Sequence, residues 1–394
     1  MAKEYELLAP AGNFQCLMAA VNAGCNSVYF GLQDFNMRDS AKNFRIKDID
    51  RIRDICRKRN VKCYLTLNTI IYSNELKKVE EILKKVKGKI DGVICWDFSV
   101  ISLCRKHNIP FSISTQASVS NIESAKFFKS LGAKNITLAR ELNLRQIKEI
   151  SKITDVSVFA HGAMCVSISG RCFTSQFLYN KSANRGQCIH TCRRPYQVKD
   201  NQGNELRVSN NKIFSAKDLC SLPYIEQMKK AGIKIFKIEG RSRDPEYVDA
   251  VVRAYRKALD KKLSGNEIEE GIEELKKVYN KGFSSGFLLK IPTSDDFSKA
   301  EHSMASEKKQ FIGNVIHYYA KKEVAAVKIL SGSLKLNDEI FIIGKETGII
   351  RQKIQSIEIE MKKVSEASKG QFAGIKLPKC RKNDEIYIIN KRVS

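Results

Sequence analysis

The chain has no apolar run of the roughly 18 residues that a membrane-spanning helix requires, which excludes a helical membrane protein. Its first residues, Met1-Ala2-Lys3-Glu4-Tyr5-Glu6, lack the apolar core of a secretory signal. The expectation is therefore a cytoplasmic protein without a membrane partner. No G-x-G-x-x-G, H-E-x-x-H or G-x-S-x-G occurs, which removes the usual signatures of dinucleotide binding, zinc peptidases and serine hydrolases. Acidic residues are scarce: 69 Lys and Arg face 43 Asp and Glu, a net charge of +26. Such an excess favours polyanionic partners, because each neutralised phosphate releases counterions.

What is present is a regular alternation. Strand-like runs at Tyr5–Leu8, Ser27–Phe30, Val61–Leu67, Gly92–Trp96, Phe111–Ser114, Asn135–Leu138, Val156–Phe159 and Lys234–Ile238 alternate with amphipathic helical patterns. The helical patterns include Asn13–Ala23, Ile49–Arg59, Glu75–Val86, Ile122–Leu131, Leu144–Lys152 and Pro245–Leu259. Eight such units within about 260 residues have the size and order of a TIM-type (β/α)8 barrel. An open doubly wound sheet is the alternative, and it would ordinarily carry a glycine-rich phosphate turn after its first strand. The predicted fold class is thus α/β, a barrel over residues 1–265 with a cysteine-rich insertion at 161–217. Residues 266–306 read as a helical segment and linker. Short alternating strands from Phe311 onward, separated by turn residues, predict a small all-β barrel at 307–394.

In a barrel the C-terminal strand ends converge on one face, where active sites lie. Those ends carry Asn13, Asn36 and Arg38, Asn68, Asp97, Gln116, Arg140-Glu141, His161 and Glu239-Gly240-Arg241. Three of them are Arg, whose planar fork matches carboxylates and phosphates. Arg38, Arg140, Arg241, Asn36 and Gln116 are therefore the candidate substrate-binding residues, for an anionic small molecule, a phosphate backbone or both.

One connection is too long. Almost sixty residues separate Phe159 from Asp218, and loops of that length in a compact domain are usually functional. This one contains Cys165, Cys172, Cys188 and Cys192 in the spacing C-x6-C-x15-C-x3-C, with Cys220 following where the next helix is expected to open. Several soft thiolates can enclose one metal centre. The wide gaps fit the tight pairs of zinc sites poorly and a bulkier iron–sulfur cluster better. Zinc and plain thiols remain open, as does the choice of Cys192 or Cys220 as the fourth ligand. Cys16, Cys25, Cys56, Cys63, Cys95 and Cys104 fall in helix or strand patterns and read as small core residues. Cys380 reads as lying in a surface loop.

The run Val158-Phe159-Ala160-His161-Gly162-Ala163-Met164-Cys165, continuing through Ser169-Gly170-Arg171-Cys172, resembles the signature of the collagenase-like peptidase family. So do Glu6 to Asn13, Tyr29-Phe30-Gly31 with Phe35-Asn36-Met37-Arg38, Leu138 to Leu142, and Lys237 to Arg241. The resemblance covers the whole barrel. It implies the family's prephenate-dependent tRNA uridine hydroxylase branch, which hydroxylates carbon 5 of a wobble-position uridine without molecular oxygen. It further implies a cluster, expected as 4Fe-4S, on Cys165, Cys172, Cys188 and Cys192, with Cys220 matching a cysteine of only some members. The C-terminal segment is similar to the second domain of elongation factor Tu. Met37 departs from the pattern, standing where a small residue is frequent.

On this reading tRNA and prephenate are the expected partners. Glu239, His161 and Glu141 are the candidate catalytic residues, because hydroxylation must remove a proton from carbon 5. Three other functions are weighed against it. A peptidase would need a Cys nucleophile paired with His161 or His190. A hydroxylase of ribosomal RNA cytidine would fit the family, although one small C-terminal barrel looks more like the tRNA branch. A non-catalytic RNA-binding factor would bind tRNA tightly without turnover.

Overall fold

The computed structural model describes residues 5–39, 41–168, 171–194, 196–208, 214–300 and 302–392. Ser169 and Gly170 of the signature lie outside them. In chain order the first half comprises β1 (Glu6–Ala11), α1 (Phe14–Asn22), β2 (Ser27–Gly31), α2 (Ile49–Arg57), β3 (Lys62–Leu67), α3 (Leu76–Val86), β4 (Gly92–Cys95), α4 (Phe98–Lys106), β5 (Phe111–Ile113), α5 (Ile122–Ser130), β6 (Ile136–Thr137), α6 (Leu144–Ser151) and β7 (Val156–Gly162). The insertion holds α7 (Thr174–Tyr179) and the hairpin β8 (Tyr196–Lys199) with β9 (Glu205–Val208). Then come β10 (Asp218–Cys220), α8 (Ile225–Lys230), β11 (Ile235–Ile238), α9 (Pro245–Asp260), α10 (Gly265–Lys277) and β12 (Phe283–Ser284).

Strands β1 to β7 pair in parallel in sequence order, and β11 pairs in parallel with both β7 and β1. That double pairing closes an eight-stranded parallel barrel, as the alternating pattern predicts. Helices cover it because their apolar stripes face the strands. On α2 these are Ile49, Ile52 and Cys56, and on α3 they are Val79, Leu83 and Val86. Inside, Leu8, Tyr29, Ile94 and Ile235 form a separate cluster with Tyr64 against it, one layer of barrel filling. Along β11 the period of two places Lys237, Glu239 and Arg241 on the same face as Ile235. The strand therefore carries charge from the interior up to the mouth.

Two of the polar strand ends are structural. Asn13 caps α1 by accepting from Cys16 N at 2.9 Å, and Asp97 caps α4 by accepting from Ser99 N at 2.9 Å. Cys220 does not open a helix. It sits on β10, which runs antiparallel to β7, and the chain turns through Leu222–Tyr224 before α8 begins. The segment at 266–306 is more than a linker. Leu275 and Val278 join the barrel core, β12 pairs with β10, and Ser298 N donates to Ser215 O at 2.6 Å.

The C-terminal strands include all six expected runs, with the 351–359 run split into Gly348–Lys353 and Ile357–Ile359, and Ser333–Lys335, Lys362–Val364 and Glu366–Ser368 added. They wrap a core that includes Val315, Val327, Ile342 and Ile375. Cys380 belongs to this core rather than to a surface loop. Phe341, Ile343 and Ile349 pack into the barrel's hydrophobic core, and Lys309 Nζ reaches Glu246 at 2.7 Å and Asp244 at 3.1 Å. The two domains thus share an apolar seam flanked by ion pairs. Among the described residues no helix is long and apolar enough to cross a membrane.

Candidate active site

The barrel mouth is organised around Glu239. Arg38, from the loop after β2, donates to Glu239 Oε1 from Nε at 3.1 Å and from Nη2 at 2.9 Å. Burial raises the Glu239 carboxyl, but the positive charges of Arg38, Arg140 and Arg241 outweigh it and hold the group below the ordinary carboxylate range. The site therefore presents an ionised carboxylate.

Two glycines of the signature segments make this packing possible. A Cβ on Gly31 would collide with the Arg241 guanidinium and stand 2.8 Å from Asn36 Cγ. Gly162, at φ +111°, would place a Cβ 2.6 Å from Glu239 O. Asn36 is buried, donates to Leu32 O and accepts from Arg38 N at 2.9 Å, so it shapes the loop that delivers Arg38.

Arg241 is buried and donates to Thr66 Oγ1 at 3.1 Å. Desolvation pulls it down to about 10. Arg140 donates to Ala163 O at 2.9 Å and lies over the Phe159 ring at 4.6 Å. Neither borders the two cavities of the mouth. Sequence reasoning missed Lys237, which is fully enclosed between the rings of Tyr29 at 4.6 Å and Phe159 at 5.2 Å. Desolvation lowers it to about 7, against the pull of Glu239. Its signal was a lone Lys within the apolar run Ile235-Phe236-Lys237-Ile238.

The other two proton-transfer candidates stand apart. His161 is walled by Tyr247, Tyr255 and Phe283, shares a hydrogen bond of 3.3 Å with the Tyr255 hydroxyl and borders neither mouth cavity. Burial lowers it to about 3, so it is neutral. Glu141 is exposed on its loop and borders neither mouth cavity.

The insertion folds back over the mouth. Arg185 clamps Glu75 at 2.7 Å and Ile70 O at 2.6 Å, Asp39 N donates to Gly186 O at 3.1 Å, and Arg171 donates to Gln116 O at 3.2 Å. This divides the mouth into two cavities. The larger, of about 470 Å³, is lined by Arg38, Arg193, Arg243, Lys281 and Arg392 with His190, His302 and one carboxylate, Glu239. Arg392 arrives from the C-terminal domain and donates to Ser303 O at 2.9 Å, closing that side. The smaller, of about 220 Å³, is lined by Met37, Ile70, Trp96, Gln116, Arg171, Phe173 and Asn184. Met37 borders one cavity and Arg38 the other, so the loop after β2 is their common wall.

The cysteines divide as well. Cys165 is exposed and Cys172, Cys188 and Cys192 are half-buried, whereas the other eight, Cys220 included, are buried. Cys192 is pushed up to about 11 by burial and by the neighbouring thiols of Cys165, Cys188 and Cys172, which places the four in one electrostatic neighbourhood. Cys172 is held lower, against desolvation, by hydrogen bonds from Thr174 and Ser167. Cys220 instead receives the Tyr255 hydroxyl at 3.8 Å. As they stand, no three His, Cys, Asp or Glu side chains among the described residues converge tightly enough to hold a metal ion. The donor chemistry fits a thiolate-bound centre: the four cysteines that are not buried all lie on the insertion, with Arg171, Arg193 and Arg194 beside them in the chain.

A closed (β/α)8 barrel with a cysteine-bearing insertion folded over its mouth and a small β-domain sealing one side defines the class of protein. The chain belongs to Peptidase family U32, whose model matches residues 12–297, and the model of Elongation factor Tu domain 2 matches residues 323–384. It is 38% identical over 410 residues to a protein of Porphyromonas gingivalis named collagenase, covering 99% of each chain. It is 31% identical over 371 residues to tRNA hydroxylation protein P1 of Bacillus subtilis, covering 91% of this chain and 87% of that one. It is also 36% identical over 261 residues to a 23S rRNA 5-hydroxycytidine synthase of Escherichia coli, covering 65% of this chain and 39% of that one.

Proposed function

We propose that this protein is an RNA-hydroxylating enzyme that uses prephenate to hydroxylate carbon 5 of a wobble uridine in tRNA. The observation that carries the reading is the larger cavity. It gathers five Lys and Arg side chains around a single carboxylate, which suits a small dicarboxylate such as prephenate and does not suit a neutral peptide bond. Arg38, Arg193, Arg243 and Arg392 are the groups that would bind its carboxylates. Arg140 and Arg241 add positive charge beside Glu239. Glu239, ionised beside Arg38, is the carboxylate that would take a proton from a ligand bound in this cavity.

Cys165, Cys172, Cys188 and Cys192 would hold an iron–sulfur cluster, which would supply redox or Lewis-acid chemistry at the mouth. Two of these cysteines are positioned by the insertion itself: Asn184 Oδ1 accepts from Cys172 N at 2.9 Å, and His190 N donates to Cys188 Sγ at 3.4 Å. The net charge of +26 supports docking of a polyanion around the mouth.

The name of the Porphyromonas gingivalis relative supports a second reading, a peptidase. Against it, the His161 ring shares its hydrogen bond with the Tyr255 hydroxyl, and His190 meets Cys188 Sγ through its backbone N–H at 3.4 Å rather than through its ring. The test is to incubate anaerobically purified protein with tRNA, with and without prephenate, and to analyse the nucleosides by mass spectrometry. Uridine carrying one added oxygen, formed only with prephenate, supports the reading. Unmodified tRNA together with cleavage of a collagen peptide would replace it with the peptidase.

A further inference from the structure

The smaller cavity differs in kind from the larger. Trp96 and the exposed Phe173 supply aromatic faces, and Met37 and Ile70 add apolar wall. The Arg171 guanidinium lies 5.5 Å from the Trp96 ring. Trp96 is held in place from below, donating from Nε1 to Asn68 O at 3.0 Å. Gln116, Arg171 and Asn184 are the polar side chains among its lining residues. Gln116 is buried, its Oε1 accepts from the Ser114 hydroxyl and from Asn68 Nδ2 at 3.4 Å, and its Nε2 has no hydrogen-bond partner among the described residues.

A small space with aromatic and guanidinium walls and a free amide donor on Gln116 suits a planar heterocycle with a carbonyl on its edge. Its volume of about 220 Å³ falls below the roughly 300–1,000 Å³ of pockets for drug-sized ligands, which limits the occupant to one ring system. Unstacked bases are recognised in this way, by stacking on aromatic or Arg planes and by hydrogen bonds to their edges.

The slot also continues outward. Phe177 is 84% exposed and its ring centroid lies 6.1 Å from that of Phe173; Arg194 covers Tyr179 at 5.1 Å. These aromatic side chains on α7 would be costly to leave in water without a use. The slot also borders the insertion: Asn184 lines it and accepts from the backbone Cys172 N at 2.9 Å.

We infer that this slot receives a single extruded pyrimidine base of the RNA, with Trp96 and Phe173 as stacking walls, Gln116 Nε2 donating to a base carbonyl, and Phe177 and Tyr179 stacking its neighbours. The inference rests on the RNA reading above and assigns that substrate its place, separate from the anionic cavity.

Trp96 is the chain's single tryptophan, so its fluorescence reports the slot directly. The probes are a short single-stranded oligouridylate and an abasic oligonucleotide of the same length, which carries the same phosphates without bases. Saturable quenching by the oligouridylate alone, weakened about tenfold by Gln116→Ala or by Phe177→Ala, supports the slot, since base stacking and edge contacts each contribute on that scale. Equal quenching by the abasic strand overturns it. So does an unchanged Trp96 spectrum when tRNA is bound, as followed by filter retention. Hydroxylation of tRNA without any Trp96 response would overturn the slot and leave the RNA reading standing. Base-dependent quenching without hydroxylation would support the slot while the hydroxylase reading fails. Folding of each variant is checked by its thermal melt.

Discussion

Arg38 and Glu239, 201 residues apart, meet through a single carboxylate oxygen: both guanidinium contacts fall on Oε1, at 2.9 and 3.1 Å. The pair ties the loop after β2 to the end of β11 across the barrel mouth. Glu239 also lines the larger cavity. Replacing Glu239 with Gln should cost about 1–3 kcal/mol of stability, because Arg38 loses its charged acceptor. The sign of its pH dependence follows. The folded-state carboxyl is held below its ordinary value, so the unfolded chain binds more protons as pH falls through the ordinary carboxylate range. The contribution of Glu239 is present above that range and is lost on acidification. Melting temperatures measured from pH 7 down to pH 4 should fall less steeply in Glu239→Gln than in the parent protein; parallel curves would contradict the pairing.

Lys237 should give the opposite signature. Desolvation lowers it to about 7 in the folded protein, against roughly 10.4 in an unfolded chain. Between those values the unfolded state binds the additional proton, so this residue makes stability rise with pH across that interval. Urea midpoints at pH 7 and pH 9.5 should differ less in Lys237→Met than in the parent. An identical difference in both proteins would show that Lys237 does not titrate as its enclosure by Tyr29 and Phe159 requires.

Gly31→Ala tests the close packing behind the mouth. The new methyl group would strike the Arg241 guanidinium and crowd Asn36, and overpacking of this kind costs about 1–3 kcal/mol. Both neighbours are buried, and Asn36 positions Arg38 through its backbone. The variant should therefore melt earlier and also lose most of its hydroxylation at saturating tRNA. A variant with unchanged activity would show that the geometry around Arg241 is dispensable.

The barrel was legible because inward and outward residues alternate along short strands while helical stripes lie between them. Val324–Ile329 and the start of α9 at Pro245 emerge at the residues expected. The mouth was only partly legible. Polar residues after strands also cap helices, and Asn13 and Asp97 do so. Arg140 and Arg241 follow strands as expected, and their guanidinium groups donate to a main-chain carbonyl and to Thr66, which local sequence does not reveal. His161 lies in the signature, but a bulge between β7 and β11 accompanies its packing against Tyr255 of α9. Arg392 could not be placed at the mouth from its position near the end of a β-domain, since only the packing of the two domains brings it there. Cys220 was ambiguous for a similar reason: its neighbours on β10 and the Tyr255 hydroxyl are fixed by tertiary pairing rather than by local sequence.

The central claim, a cluster held by the insertion thiols at the mouth of this barrel, is tested most directly by iron and acid-labile sulfide analysis of anaerobically purified protein and of two single variants. The account predicts about four irons and four sulfides per chain, lost in Cys172→Ser and retained in Cys220→Ser. A protein with no iron or a single zinc, or iron that survives Cys172→Ser and disappears in Cys220→Ser, would contradict it.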